Sequence, residues 1–359
     1  MVPDEEGFAY PVIDLQKCTD CNLCERVCPI IHNRTVDNHP QAFASYNRDD
    51  SVRLASSSGG LFTLLAEQTI GNGGVVFGAA FDADFNVVHG YAQTIDELRH
   101  FRGSKYVQSI IGDTYKQVKA FLNQGKPVLF SGTPCQLGGL RAYLHRDYEN
   151  LYCVDIICHG VPSPLVWRKY IAHQESNAGS KIIKANFRQK NDGWRRYSVS
   201  FSFDNDTEYA QHHGNDLYMK AFLRDLCLRP SCYHCNFKTL HRDSDLTLAD
   251  FWGVHRLLPE LHDDKGTSLV FINTPKGKML FDAIKDRIVY QEVDINQAVA
   301  YNPSAIKSVA INPQRESFFA DLNRLPFDEL VNKYCRETKL AKLKRKARKA
   351  LKKLVRMNK

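Results

Sequence analysis

Apolar residues in this chain come mostly in short runs, alternating or unbroken, set between glycine- and proline-bearing turns, which is the pattern of strands rather than of long helices. GGVVFGAAF and FNVVHGYAQ read as two strands joined by a hairpin turn at DADFN. KPVLFSGTPCQLGGLRAYL reads as a buried strand, a tight turn and a helix, and LYCVDIICHGVPSPLVWRKYI repeats that order with its turn at Gly160 to Pro164. IIKANFRQK, RRYSVSFSF, LTLADFWGV and SLVFINT add further strands. SVRLASSSGGLFTLLAEQTI is a serine- and glycine-rich turn opening a helix, with Ser58 or a neighbour as N-cap, and helical patterns flank the polar loop FRGSKYVQS. Alternating elements of this kind imply an α+β or α/β body with a mixed sheet. The expected units are 1–41, 42–130, 131–325 and a tail, 326–359.

The first unit changes the picture. Cys18, Cys21, Cys24 and Cys28 stand in CTDCNLCERVCPI with the spacing C-x2-C-x2-C-x3-C-P, the bacterial ferredoxin pattern for a 4Fe-4S cluster. Structural zinc sites pair two C-x2-C units, or Cys with His, at longer intervals, so this density with a terminal Pro29 favours iron-sulfur. In two-cluster ferredoxins the fourth cysteine of each run serves the other cluster, which calls for a second set. CLRPSCYHC and IICHGVP supply it as Cys227, Cys232, Cys235 and Cys158. Of the other three among eleven cysteines, Cys153 in LYCVDII reads as a small buried hydrophobe, Cys335 as a bystander, and Cys135 belongs to a loop discussed below.

Composition and charge then exclude classes. With 359 residues, 43% hydrophobic and 25% charged, the chain is long enough for two or three cored domains. The acidic start MVPDEEGFAY lacks the basic and apolar regions of a secretory signal, and no apolar run approaches the roughly 20 residues of a membrane span. The expectation is a cytoplasmic protein, soluble or peripheral at the inner membrane face, with reduced thiols. The net charge of +8 resides in the tail, because residues 339–359 hold eleven Lys or Arg and no acid, leaving −3 for the rest. In that tail Leu340, Leu343, Ala347, Leu351 and Leu354 recur at helical spacing, making a cationic amphipathic stripe suited to an anionic membrane surface or an acidic partner. A solvated tail is the plain alternative. No recognition module accompanies the charge, which argues against nucleic acid.

Two turns offer anion cradles. SGTPCQLGG ends a strand and starts a helix, and SSSGG precedes another, so both expose backbone N–H groups at a positive helix end. Neither is a G-x-G-x-x-G or a P-loop. The loop FRGSKYVQS adds side chains of the types that bond a flavin or its phosphates, and for every one of these loops an ordinary helix cap or surface loop is the competing reading.

The ordered set CTDCNLCERVCP, SSGG, GSKYVQS, GTPCQ, CHGVPSP, FRQKNDGW, CYHCNFK and DLTLADFWG resembles the coenzyme F420 hydrogenase/dehydrogenase beta-subunit family over roughly residues 10 to 310. The resemblance implies a ferredoxin-like segment (1–41), a beta-subunit N-terminal domain (42–130) and a C-terminal domain carrying the second cysteine set (131–325). It implies iron-sulfur clusters, two 4Fe-4S by the count of cysteines above, passing electrons to or from FAD in a mixed-sheet flavin-binding body. Candidate flavin contacts are then Ser58, Gly59, Gly60, Lys105, Tyr106, Gln108, Ser109, Thr133, Pro134 and Cys135. The family spans deazaflavin-using subunits, a chlorophyll-pathway reductase and bacterial members associated with surface polysaccharide synthesis, and the chain is expected to be of the last type.

These readings converge on an iron-sulfur flavoprotein oxidoreductase that takes electrons from reduced ferredoxin or another donor and exchanges a hydride with an organic substrate or deazaflavin. Two rivals stand beside it: an electron-relay subunit of a larger complex, and a non-catalytic protein whose metal sites staple the fold. No catalytic side chain is singled out. His159, beside Cys158, is either a proton donor or a hydrogen-bonded structural histidine, and Trp194 and Trp252 read as core residues.

Overall fold

The computed structural model describes residues 1–32 and 36–336. The basic stripe at 339–359 lies outside them. Strands in chain order are β1 (Val2–Pro3), β2 (Ala9–Tyr10), β3 (Gln41–Asn47), β4 (Val75–Phe81), β5 (Val87–Ala92), β6 (Val128–Gly132), β7 (Leu151–Ile156), β8 (Ile182–Gln189), β9 (Ser198–Phe203), β10 (Glu208–His212), β11 (Leu246–Asp250), β12 (Ser268–Ile272) and β13 (Ile288–Val293). Eight of them form one mixed sheet in the order β13-β3-β12-β11-β7-β6-β4-β5, and the fold is therefore the mixed-sheet α/β type that the alternation implied. The sheet crosses residue 130, taking strands from both sides of it. Its centre, β11-β7-β6-β4, is parallel, and both flanks are antiparallel.

Local sequence explains the pieces. The DADFN turn closes the β4–β5 hairpin, with Asp82 Oδ1 accepting from the Asp84 and Asn86 amides and Phe85 in the left-handed region at φ +58°. The central strands are apolar on both faces because helices cover both. Helix α1 (Leu23–Arg26) lies in the cysteine run and α2 (Asp50–Ala55) follows β3; α3 (Leu61–Gly71) packs Leu61, Leu64 and Leu65 on one sheet face, while α4 (Thr114–Asn123) and α5 (Pro134–Leu144) cover the other with Val118, Leu137 and Leu140. Helix α6 (Pro164–Ala178) joins the three-stranded antiparallel sheet β8-β9-β10 and helices Leu217–Phe222 and Phe327–Cys335 in a separate aromatic core built on Trp167, Tyr170, Phe187 and Tyr218.

The N-terminal hairpin β1–β2 is clamped to that second core. Phe8 is fully buried, and Arg315 holds Glu6 with both guanidinium arms while donating to the Leu228 carbonyl. The cysteine run that follows is tied again where Asn38 donates to the Arg242 and Asn273 carbonyls. Between these two anchors Val12, Ile13, Leu15, Ile30 and Ile31 are exposed.

Candidate functional site

The carboxyl ends of parallel strands are where open α/β sheets place ligands, and two cysteines lie just beyond β6 and β7. Cys135 sits in the first turn of α5, directly after β6, and Cys158 follows β7. The turn at Pro230–His234 brings Cys232 and Cys235 to the same place. Mutual electrostatics register the grouping. Burial pushes the Cys158 thiol up, and Cys135, Cys232 and Cys235 push it further. Burial carries Cys232 to about 11, again with Cys135 and Cys235 contributing; the Cys135 side chain is exposed at the surface, and its thiol is raised by the protein around it with Cys235 adding to the rise.

The surroundings suit an anionic centre made from these four. The Val161 amide donates to Cys232 Sγ at 3.4 Å, and Thr133 Oγ1 stands 3.1 Å from Cys135 Sγ. Lys238 Nζ donates to the Cys158 and His159 carbonyls; burial lowers its pKa while Cys158, Cys235 and Cys232 counter the drop. A half-buried ammonium among four thiols is costly if they stay neutral and is compensated if they are thiolates. Among the described residues, no three of His, Cys, Asp or Glu stand close enough to hold a single metal ion. A zinc site, with Zn–S of about 2.3 Å, needs thiolates about 3.8 Å apart, whereas a four-iron cluster is wider and takes a looser ring.

Cys227, expected as a ligand from CLRPSCYHC, is placed elsewhere. It is fully buried among Leu226, Leu228 and Phe222, and Cys335 is the largest charge influence on its raised thiol. Cys335 is likewise buried, at the end of its helix, and Cys153 is a core thiol pushed up to about 12 by burial. Cys135, read from sequence as a flavin contact, joins Cys158, Cys232 and Cys235. Both ring nitrogens of His159 are engaged, Nε2 with Asp225 at 2.7 Å and Nδ1 with Ser304 at 3.4 Å, as a structural histidine requires.

In the N-terminal run Cys18, Cys21 and Cys24 are exposed and Cys28 is half-buried. Asp20 and Asn22, both at φ +53°, curl the loop, and the Leu23 amide holds the Cys21 thiol below its usual range. A cavity of about 560 Å³ separates this run from the body, with Cys28 and Pro29 on one wall and Gly138, Arg141, Phe237 and Arg242 on others. A methyl on Gly138 would stand 2.7 Å from the Phe237 ring and 3.6 Å from Pro29, so glycine lets the run seat on α5. Phe237 lies two residues past Cys235. Pro29, next to Cys28, and Phe237, near Cys235, thus flank the same glycine.

The three loops read as flavin contacts also converge. Ser104 donates to Ser57 Oγ from both its amide (2.6 Å) and its hydroxyl (2.8 Å), joining FRGSKYVQS to SSSGG. Gln136 Nε2 donates to Ser109 Oγ at 2.7 Å, joining the same loop to the turn of Thr133, Pro134 and Cys135. Ser109 also meets His89 Nδ1 at 2.9 Å, and His89 Nε2 lies 3.1 Å from the Ser131 carbonyl. That carbonyl can only accept, so Nε2 carries the ring proton, Nδ1 accepts from Ser109, and the serine faces any ligand as an acceptor. Burial lowers His89 to about 4, keeping it neutral.

Individual candidates fare differently. Gly59 is obligatory, since a methyl there would stand 2.5 Å from the Ser45 carbonyl, and its amide donates to Ser268 Oγ. The N-cap of α3 is Gly60, left-handed at φ +80°, rather than a serine; Ser58 Oγ instead donates to the Thr267 carbonyl. Lys105 is turned inward, its ammonium spent on the carbonyls of His100, Arg102 and Gly103, and burial lowers it to about 7. Gln108 accepts from Arg229 at 3.1 Å, and Tyr106 stacks on Phe222. Two lysines matter that motif reading passed over. Lys238 faces the cysteines, and Lys190 fixes SSSGG by donating to the Arg53, Ser58 and Lys265 carbonyls. Both were visible as the terminal cations of otherwise recognisable strings, CNFK and FRQK. Trp194 is buried and stacks on Trp252 at 4.8 Å, as core residues do.

Sequence comparison adds to this geometry. Residues 125–298 match the family described as the C terminus of the coenzyme F420 hydrogenase/dehydrogenase beta subunit. That matched segment, just under half of the chain, is similar to the beta subunits of coenzyme F420 hydrogenases and dehydrogenases, which supports an oxidoreductase or electron-relay role. No curated protein matches the chain. Among solved structures, it is similar to a chain of the F420-reducing [NiFe] hydrogenase complex from Methanosarcina barkeri, at 17% identity over 83% of this chain and 90% of that one, with a TM-score of 0.49. Among the described residues, no helix is long and apolar enough to cross a membrane.

Proposed function

We propose that this chain is an iron-sulfur flavoprotein oxidoreductase in which two 4Fe-4S clusters exchange electrons with FAD. The observation that carries the reading is the convergence of Cys135, Cys158, Cys232 and Cys235 at the carboxyl ends of β6 and β7, bonded through Thr133 and Gln136 to the loops that would hold the flavin. With Cys18, Cys21, Cys24 and Cys28 they make eight thiols, four per cluster. The Pro29–Gly138–Phe237 seam supports a short path between the two sets. Clusters pass single electrons and a flavin turns pairs of them into hydride chemistry.

The chain's own groups prepare the site. Lys238 offsets the charge of the inner set. Ser109, held as an acceptor by His89 and Gln136, would receive an N–H from the ring system, and Thr133 and Pro134 shape the turn beneath it. Tyr106 and Gln108 brace the loop from behind, and Lys105 locks its fold rather than touching a phosphate. The exposed N-terminal cysteines suit electron entry from reduced ferredoxin or a similar donor. The hydride partner is an organic substrate or deazaflavin, consistent with a polysaccharide-associated role, and the tail would bring the enzyme to an anionic membrane face. Anaerobic purification with cofactor analysis tests the core of this: about eight irons per chain with released FAD are expected, and a colourless zinc-containing protein overturns it.

A further inference from the structure

Two helix N-termini border the proposed flavin site, and they are not equivalent. Helix α5 is closed: Gln136 Oε1 accepts from the Thr133 amide at 2.9 Å in a complete capping box, and the Cys135 and Gln136 amides bond the Cys135 sulfur. Its first-turn donors therefore serve a cysteine. Helix α3, eleven residues long, begins at Gly60 with no side-chain cap, so the N–H groups of its first turn have no capping partner and the helix dipole ends there unmet.

Unspent donors gather at that open end. Asn47 is 2% exposed; its amide donates to the Gly59 carbonyl at 2.7 Å, its Oδ1 accepts from the Asp49 amide, and its Cβ lies 3.4 Å from where a methyl on Gly60 would stand. Its Nδ2, buried at the helix start, has no partner. Arg102 Nε is buried and unpartnered as well, on the loop that Ser104 binds to Ser57. Thr63 Oγ1, in the first turn of α3, is a third such atom. Lys190, on the Ser58 carbonyl, adds positive charge. Among the nearby acids Asp263 pairs with Arg53, Asp50 with Lys265 and Arg53, and Asp49 caps α2, its carboxyl held low chiefly by Ser51 with Arg102 contributing. Buried donors without acceptors are costly, and a group that only accepts, beside a helix N-terminus, is the chemistry of a phosphate.

We infer that the open start of α3, flanked by Asn47 and Arg102, is the seat of a phosphate group, and that α5 is not. Resting on the flavin reading above, the inference assigns the flavin's diphosphate to SSSGG and its ring to the Ser109–Thr133 side. Asn47, Arg102 and Thr63 are new contacts.

The test uses the full chain, purified without oxygen, stripped of flavin and titrated with FAD and with inorganic pyrophosphate. In the wild type, pyrophosphate should compete with FAD. Arg102→Ala and Asn47→Asp should each weaken FAD and pyrophosphate tenfold or more with iron content unchanged. Arg102 is partly exposed, so its variant carries the test if Asn47→Asp fails to fold. FAD binding within twofold of wild type in Arg102→Ala, with pyrophosphate unable to compete, overturns the inference while leaving the flavin reading intact. Pyrophosphate binding that depends on Arg102 in a chain with no affinity for FAD upholds the phosphate seat and ends the flavin reading instead.

Discussion

Replacing Cys135 and Cys227 by alanine, one at a time, separates the ligand read from sequence spacing, Cys227, from the one the geometry favours, Cys135. Cys227 is 0% exposed inside the aromatic core, packed with Leu226 and Leu228, so its alanine variant loses one buried heavy atom and leaves a small cavity. By analogy with deletion of one buried methyl, that costs about 1 kcal/mol. Iron should stay near eight per chain, the count for two clusters. Cys135 lies in the first turn of α5 with Cys235 among the groups acting on its thiol and 3.1 Å from the Thr133 hydroxyl, where, on the proposed assignment, removing the thiol would strip one of four ligands from the inner set. Anaerobic iron and sulfide analysis of Cys135→Ala should show about four irons, with the low-temperature spin signal of the reduced protein falling by about half. Near-UV circular dichroism would show the aromatic core unchanged in both variants. Eight irons in Cys135→Ala together with four in Cys227→Ala would refute the geometric assignment and restore Cys227 as a ligand.

Three further expectations follow from particular contacts. His89 is held neutral with its pKa near 4 against an ordinary 6.5, so below pH 6.5 the unfolded chain binds a proton that the folded one refuses. Stability is therefore complete above pH 6.5 and is lost as pH falls toward 4, by about 2 kcal/mol between pH 7 and pH 5; urea midpoints of His89→Gln should lack that part of the acid slope, and an unchanged slope refutes it. Arg315→Ala leaves Glu6 and the Leu228 carbonyl without their donor, a loss of about 3 kcal/mol, and limited proteolysis should then cut within residues 1–32 sooner; equal protection would show that Phe8 alone anchors the hairpin. Deleting residues 339–359 should abolish salt-sensitive cosedimentation with anionic vesicles, since each basic side chain at such a surface contributes about 1 kcal/mol, and equal sedimentation of both chains removes the membrane role.

Sequence by itself determined what depends on neighbours along the chain. The DADFN hairpin and the strand–turn–helix units at SGTPCQ and CHGVPSP are local patterns whose hydrogen bonds close within a few residues, and each stands where its residues imply. Strand β13 was not legible, because QEV carries exposed polar residues whose strand state is set by β3, far along the chain, and β10 was not, because the exposed polar residues of EYAQH hide the hairpin it closes with β9. The N-cap of α3 departs from the expected serine for a related reason: a serine caps by default, but the backbone of SSSGG is held by β12, and only Gly60 takes the left-handed turn that remains. The inner cysteine set was decided by tertiary structure alone. Cys227 lies as near in sequence to Cys232 as a ligand should, yet its side chain points into the aromatic core, while Cys135, nearly a hundred residues away, is carried to the same edge by the parallel pairing of β6 with β7. Spacing records which thiols are close along the chain; which ones share a charge environment depends on strand order and on which face of a turn each side chain leaves, and both are settled by packing.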